Sequence, residues 1–287
     1  MMFEKVLFPT DFSGHAKRAL ECVAGLPGNR EVVLLHVADI RTANRWAVEG
    51  ILESAKRHLS EDKGYISSKG LQVRSVLKSI REGQVGEVIL DVAREESATA
   101  IVMSARGEGM VEGLLLGTIS TYVLRHSTIH LLLMRYRIIE KMDKRIYEKF
   151  CPMILSRVIC PTDFSAFAER AVMAVSQLPG LGEMVLIHVV TVEETTNGIE
   201  AETSEAEARL QRTALTLKEK GIPVRYSVRI GTPPTEISTF AQEEDASLIA
   251  LSSFGKGWFT DLLVGSTAAE VARISERPVI IIRDMPD

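Results

Sequence analysis

Val6-Leu7-Phe8-Pro9-Thr10-Asp11-Phe12-Ser13 returns 152 residues later as Val158-Ile159-Cys160-Pro161-Thr162-Asp163-Phe164-Ser165. Leu34-Leu35-His36-Val37 returns at the same offset as Leu186-Ile187-His188-Val189. Gly83, Gly107 and Gly117 return as Gly231, Gly255 and Gly265, now at an offset of 148, so the first copy holds four additional residues between Val37 and Gly83. A solenoid unit runs to roughly 20–50 residues; a period this long is a whole domain present twice. The chain length of 287 residues agrees, being about twice that of an average domain of ~150.

Within each copy, short apolar runs alternate with helical patterns. Val6–Phe8, Val32–Val37, Leu71–Leu77, Ala100–Met103 and Ile129–Met134 are often β-branched and read as strands buried on both faces. Ala16, Ala19, Leu20, Val23 and Ala24 fall at helical spacing, as do Val48, Ile51, Leu52, Ala55 and Leu59, and then Val85, Val88, Ile89 and Val92. Ser13 and Ser165 stand where an N-cap oxygen satisfies first-turn amides. Strand, helix, strand at this rhythm builds βαβ units. The expected fold class is α/β: two similar Rossmann-like domains, each a five-stranded parallel sheet with helices on both faces. The expected boundaries are residues 1–138 for the first copy, 139–153 for a linker rich in Lys, Arg and Glu that reads as helical, and 154–287 for the second copy.

In such sheets ligands bind beyond the carboxyl ends of the strands, where the strand order reverses. Pro9-Thr10-Asp11 and Pro161-Thr162-Asp163 follow the first strand of each copy. After the fourth come Ser104-Ala105-Arg106-Gly107, nine residues and Gly117-Thr118, repeated as Ser252-Ser253-Phe254-Gly255, nine residues and Gly265-Ser266. The second glycine of each loop opens a helix, whose free amides and positive dipole end suit phosphate. Glycine admits an anion close to the backbone, and the following hydroxyl adds a donor. The same pattern also serves as a plain helix cap, and Asp11 and Asp163 also fit ordinary turn chemistry.

His36 and His188, each inside an apolar strand with no nucleophile paired to it in sequence, read as hydrogen-bonded core residues. No Walker lysine, dinucleotide fingerprint, kinase set or nucleophile elbow is found. Cys22, Cys151 and Cys160 form no CxxC, so neither a disulfide nor a zinc site is expected.

The PTDFS turn, the His-Val after the second strand and the Gly-x9-Gly-[Ser/Thr] loop, in order and twice, resemble the universal stress protein family in its tandem two-domain form. The resemblance implies an adenine nucleotide, ATP or AMP, with magnesium accompanying ATP. In the family's ATP-binding branch the aspartate contacts ribose or adenine, the valine lies against the base, and the loop holds the phosphates. Carried over, the first site is Pro9, Thr10, Asp11, Val37, Met103, Ser104, Gly107, Gly117, Thr118, Ile119 and Ser120. The second is Pro161, Thr162, Asp163, Val189, Leu251, Ser252, Gly255, Gly265, Ser266, Thr267 and Ala268. Ser104 and Ser252 depart from the pattern, which has glycine there.

The function implied is an adenine-nucleotide-binding stress-response regulator, with a slow ATPase or a nucleotide-free scaffold as alternatives; no catalytic or metal-ligating residue is assigned. Pairing of the copies through their last strands as an internal pseudo-dimer, and association of two chains as a homodimer, are the expected assemblies. A formal net charge of −4 and a pI near 6.0 argue against a general nucleic-acid partner. With 46% hydrophobic and 25% charged residues and a mean hydropathy of +0.10, the chain reads as a folded cytoplasmic protein with no membrane partner. Glu108 and Glu112 in the first loop stand against Lys256 and Thr260 in the second, a local charge of −2 against +1. On those positions a triphosphate is expected to favour the second copy, while Arg106 against Phe254 works the other way.

Overall fold

The computed structural model describes residues 1–106, 116–141, 144–149, 153–191, 198–255 and 264–283, and the chain divides into two units, Met1–Arg135 and Tyr136–Asp287. The first unit runs β1 (Lys5–Pro9), α1 (Gly14–Val23), β2 (Glu31–Asp39), α2 (Arg45–Ser67), β3 (Gln72–Ile80), α3 (Val85–Glu95), β4 (Ala100–Ser104), α4 (Thr118–His126) and β5 (His130–Met134). Its strands pair in the order β3-β2-β1-β4-β5, all parallel.

The segment read as a helical linker instead pairs β6 (Tyr136–Lys141) with β7 (Lys144–Lys149), antiparallel, from Tyr136 opposite Lys149 to Lys141 opposite Lys144. Its Lys and Glu content suggested a helix. Ile138, Ile139 and Ile146, with Tyr136 and Tyr147, carry the β preference that prevails.

The second unit then runs β8 (Arg157–Pro161), α5 (Ala166–Ser176), β9 (Glu183–Val190), α6 (Ile199–Glu219), β10 (Val224–Ile230), α7 (Pro233–Glu243), β11 (Leu248–Ser252), α8 (Ser266–Ile274) and β12 (Val279–Ile282). Its strand order, β10-β9-β8-β11-β12, repeats that of the first unit in parallel register. Right-handed crossovers put α1 and α2 on one face of the first sheet. The reversal after β3 sends α3 and α4 to the other face, and the second unit follows the same rule.

The central strands are apolar because both faces are covered. Val6, Leu7, Phe8, Val32 to Leu35 and Ala100 to Val102 are entirely enclosed, as are Val158, Ile159, Leu186 and Ile187. Each large side chain buried in this way stabilises its unit by roughly 1.5–3 kcal/mol. β3 corrects the expectation of strands buried on both faces. It is an edge strand on which Arg74 and Lys78 reach Glu96 and Glu95, and charge on an open edge discourages pairing with other chains. Cys160 is a buried free thiol, and burial pushes its pKa up. Cys22, by contrast, is disulfide-bonded, which corrects the expectation of no disulfide.

Two features fix the amino-terminal edge of each sheet. Thr99 Oγ1 accepts the Lys5 N–H at 3.1 Å and donates to the Lys5 carbonyl at 3.0 Å; Ser247 repeats both bonds at Arg157, at 3.0 and 2.9 Å. Around these clasps lie matching ion-pair clusters. Lys5 meets Glu31 at 3.1 Å and Glu96 at 3.4 Å, and Arg74 meets Glu96 at 3.2 Å. In the second unit Arg157 meets Glu183 at 2.8 Å, while Arg225 bridges Glu183 at 2.6 Å and Glu244 at 2.7 Å.

Candidate ligand crevice at the strand-order switch

In both units the order reverses between the first and fourth strands, so the turns after β1 and β4, and after β8 and β11, flank one crevice. The first turn is a closed set of hydrogen bonds. Thr10 Oγ1 accepts from the Phe12 N–H at 3.0 Å, Asp11 Oδ1 from Ser13 at 3.0 Å, and Ser13 Oγ from Ala16 at 3.1 Å. The second copy repeats each with Thr162, Asp163 and Ser165, at 3.0, 2.9 and 3.2 Å. Asp11 and Asp163 thus each hold their turn through Oδ1, as the turn reading expects.

Between each aspartate and its capping serine is a phenylalanine in the left-handed region, Phe12 at φ 62° and Phe164 at φ 61°. That conformation costs a bulky residue on the order of 1–3 kcal/mol and persists only where the surroundings impose it. Here the surroundings are the turn bonds and a histidine. The Phe12 ring stacks on His36 with centroids 4.4 Å apart, and Phe164 lies 4.5 Å from His188. His36 Nδ1 lies 2.8 Å from the Thr10 carbonyl, and His188 Nδ1 lies 2.7 Å from that of Thr162. A carbonyl only accepts, so Nδ1 carries the proton in each. Burial holds the His36 pKa down, against the pull of the Thr10 carbonyl and Asp11. The strand histidines thus brace the turn from below. The outer faces of the two rings differ: His58 from α2 lies 4.9 Å from Phe12, whereas the Arg209 guanidinium from α6 lies 4.1 Å from the Phe164 centroid.

The loop opposite is pinned at its neck. Ala105 N–H donates to Met134 O at 3.0 Å and Gly117 N–H to Ala105 O at 2.9 Å; Ser253 and Gly265 repeat this at 3.0 and 2.7 Å, with Ile282 O and Ser253 O as acceptors. Ser104 and Ser252 serve this neck. Ser104 Oγ accepts from the Arg106 N–H at 3.3 Å, and Ser252 Oγ donates to Phe254 O at 2.6 Å. The hydroxyls that replace glycine thus each make a hydrogen bond within their own loop. Ser120 likewise donates to Ser104 O at 3.1 Å, where the second copy has Ala268. Gly107 lies outside the described residues.

Gly117 and Gly265 cap α4 and α8 with no side-chain bond, while Ser13 and Ser165 cap α1 and α5 through Oγ. The helix starts suited to an anion are therefore those of α4 and α8, where Thr118 and Ser266 are exposed and Ile119 and Thr267 follow. Met103 and Leu251 are buried, while Val37 and Val189 lie near the ends of β2 and β9. Pro9 and Pro161 close β1 and β8. A Cβ on Gly255 would stand 2.5 Å from Asp163 Oδ2, so the loop backbone lies directly against that carboxylate.

The sequence pattern did not single out Phe12, Phe164, His15, Arg18, His58, Phe167 or Arg209. The repeated Phe within PTDFS was a visible signal; the others approach only through space. Among the described residues no group of three or more His, Cys, Asp or Glu side chains could hold a metal ion, and no helix is long and apolar enough to cross a membrane.

The model of the universal stress protein family matches residues 2–135 and again 155–283, leaving out the β6–β7 hairpin. Universal stress protein MJ0577 of Methanocaldococcus jannaschii is 26% identical over 156 residues, covering 46% of this chain and 96% of that protein. A universal stress protein of Mycolicibacterium smegmatis is 23% identical over 241 residues, 81% of this chain and 75% of the relative. The crystal structure of a universal stress protein from Archaeoglobus fulgidus superposes with a TM-score of 0.72 at 24% identity, over 97% of this chain and 96% of that one.

Proposed function

Because the chain belongs to the universal stress protein family and carries its domain twice, we propose that it is a regulator that binds an adenine nucleotide, ATP or AMP, in each crevice. One observation carries the reading. In both units an uncapped glycine helix start, at Gly117 or Gly265, shares the switch-point crevice with a hydrogen-bonded aspartate turn. The helix start offers amides to a phosphate, and the carboxylate of Asp11 or Asp163 accepts from a ribose hydroxyl or an adenine amine. Magnesium would arrive with the triphosphate, held by phosphate oxygens and water.

The regulatory step is linkage: nucleotide favours whichever loop arrangement it binds better. The necks give that step a route, since Ala105 and Ser253 hydrogen-bond the ends of β5 and β12. Pairing of the two copies as an internal pseudo-dimer through these last strands belongs to the same reading. Its support is the unbroken apolar runs Leu131–Met134 and Val279–Ile282, which as open edges would invite aggregation. No residue at the crevice is assigned as a general base, so bound ATP is expected to persist.

Nucleotide extracted from the purified full chain, followed by calorimetric titration with ATP and AMP, tests the binding reading. Adenine nucleotide in the extract and saturable heat from the stripped protein are expected; an empty extract with no heat at millimolar ligand overturns it. A phosphate-release assay should stay flat over hours, and steady release would make the protein a slow ATPase instead.

A further inference from the structure

The two crevices share their backbone but not the side chains that face each other across it. In the first unit His15 and Arg18 lie at the start of α1, and Arg106 follows the neck after β4. Arg18 folds back over the helix start, where a Cβ on Gly14 would lie 3.4 Å from its guanidinium. Burial first, then the positive fields of Arg18 and Arg106, hold the His15 imidazole pKa below its ordinary value, while Asp11 pulls the other way. Arg18, Arg106 and Asp11 therefore all act on His15, and two of the three are permanent cations. In the second unit the same places hold Phe167, Arg170 and Phe254. The two rings meet edge-on across the crevice with centroids 5.4 Å apart, and the Arg170 guanidinium lies 4.9 Å over Phe167.

We propose that Arg106, Arg18 and His15 make the first crevice selective for ligands rich in phosphate, while Phe167 and Phe254 leave the second nearly indifferent to phosphate number. The inference rests on the nucleotide reading above and assigns the residues that set specificity within it. Guanidinium matches phosphate oxygens in a planar, bidentate geometry, and its charge is permanent. A ring pair offers a base an apolar stacking surface and offers a phosphate nothing. The second unit's guanidinia lie on ring faces, Arg170 over Phe167 and Arg209 over Phe164. The opposite expectation, from Glu108, Glu112, Lys256 and Thr260, uses positions outside the described residues and leaves out the cations on α1.

The test uses the full chain with one crevice disabled at a time, by Asp163→Ala or Asp11→Ala. ATP, AMP, adenosine and inorganic tripolyphosphate are titrated at low and moderate salt. The first crevice should prefer ATP over AMP by tenfold or more, falling with salt, and should bind tripolyphosphate; the second should show a ratio near one. Exchanging the walls (His15→Phe with Arg106→Phe, and Phe167→His with Phe254→Arg) should exchange the ratios. The single change Arg106→Gln, in an already polar loop, should lower the first ratio without requiring new packing.

Equal ratios in the two crevices, or the larger one in the second, overturn the inference while leaving nucleotide binding intact. Tripolyphosphate binding that depends on Arg106, with no binding of adenosine or AMP anywhere, sinks the nucleotide reading and keeps the anion site. No binding of any of the four ligands sinks both.

Discussion

The two edges of these sheets have diverged in opposite ways. At the amino-terminal edge the repeat keeps its charges in place, Lys5, Glu31, Glu96 and Arg74 against Arg157, Glu183, Glu244 and Arg225, with Lys5 bridging two carboxylates in the first copy and Arg225 in the second. At the carboxyl-terminal edge the turn is held bond for bond, but the side chains above it change character: histidine to phenylalanine, arginine to phenylalanine, histidine to arginine. The first edge serves folding, where a matched charge set is enough. The second presents loops on a rigid scaffold, where chemistry can vary without cost to the core.

The largest expected effect breaks the likeness of the amino edges. A Cβ on Gly182 would lie 2.5 Å from the Ser156 carbonyl oxygen, and a backbone atom cannot swing away. Gly182→Ala should cost the second unit about 1–3 kcal/mol, seen as faster amide exchange in β8 and β9 while the first unit, which has Arg30 at this place, is unchanged. Exchange that is slowed or unaltered would show that the strand starts shift freely.

Next come Asp11→Ala and Asp163→Ala, each losing its turn bond and its carboxylate. Ligand-free stability should fall by about 0.5–1.5 kcal/mol per site, and nucleotide binding should weaken at the altered unit. Asp→Asn keeps an acceptor for the Ser13 or Ser165 amide, so stability should return further than binding. Full recovery of both would leave the carboxylate charge without a role at the crevice.

Smaller still is the difference between Arg225→Ala and Arg74→Ala. Arg225 is about half exposed, so its two bridges contribute roughly 1 kcal/mol or less after screening, and the single contact of Arg74 contributes less. Thermal melts at low and high salt should show the gap between the variants closing as salt rises.

The last prediction concerns acid. Burial holds His36 and His15 below the ordinary histidine value of 6.5, so the folded first unit binds fewer protons than its unfolded chain just below that pH. Stability is complete above about pH 6.5 and declines as the pH drops through that value. His15→Phe, which copies the second unit, should reduce the loss between pH 7 and pH 5.5, and an unchanged acid slope would assign the loss elsewhere.

Periodicity made most of the fold legible. Val6–Phe8 and its repeat fixed the strands, and the glycine offsets fixed the loops that meet them. It failed at β3, which is polar because it is an edge strand, and in the hairpin, where charged residues alternate with β-formers. At the crevice, Asp11, Thr118 and their repeats were legible because each follows a strand or opens a helix. The bond that Ser104 makes within its own neck was not legible, because it is visible only in three dimensions. Phe12 went unmarked because nothing local announces a left-handed aromatic. Phe167 and Phe254 are 87 residues apart in the chain and become neighbours only once the sheet is built.

The place of β1 in its sheet also governs how the protein is born. Val6 pairs with Val32 on one side and with Ala100 on the other, so the strand made first acquires its second neighbour last. At the roughly 5–20 residues per second of translation, that interval is on the order of 5–20 s. For that time Val6-Leu7-Phe8 has one bare apolar edge, the kind that nascent chains stick by. Val158-Ile159-Cys160 repeats the wait before Leu248 emerges, so each polypeptide passes twice through an interval in which a central apolar strand has one bare edge.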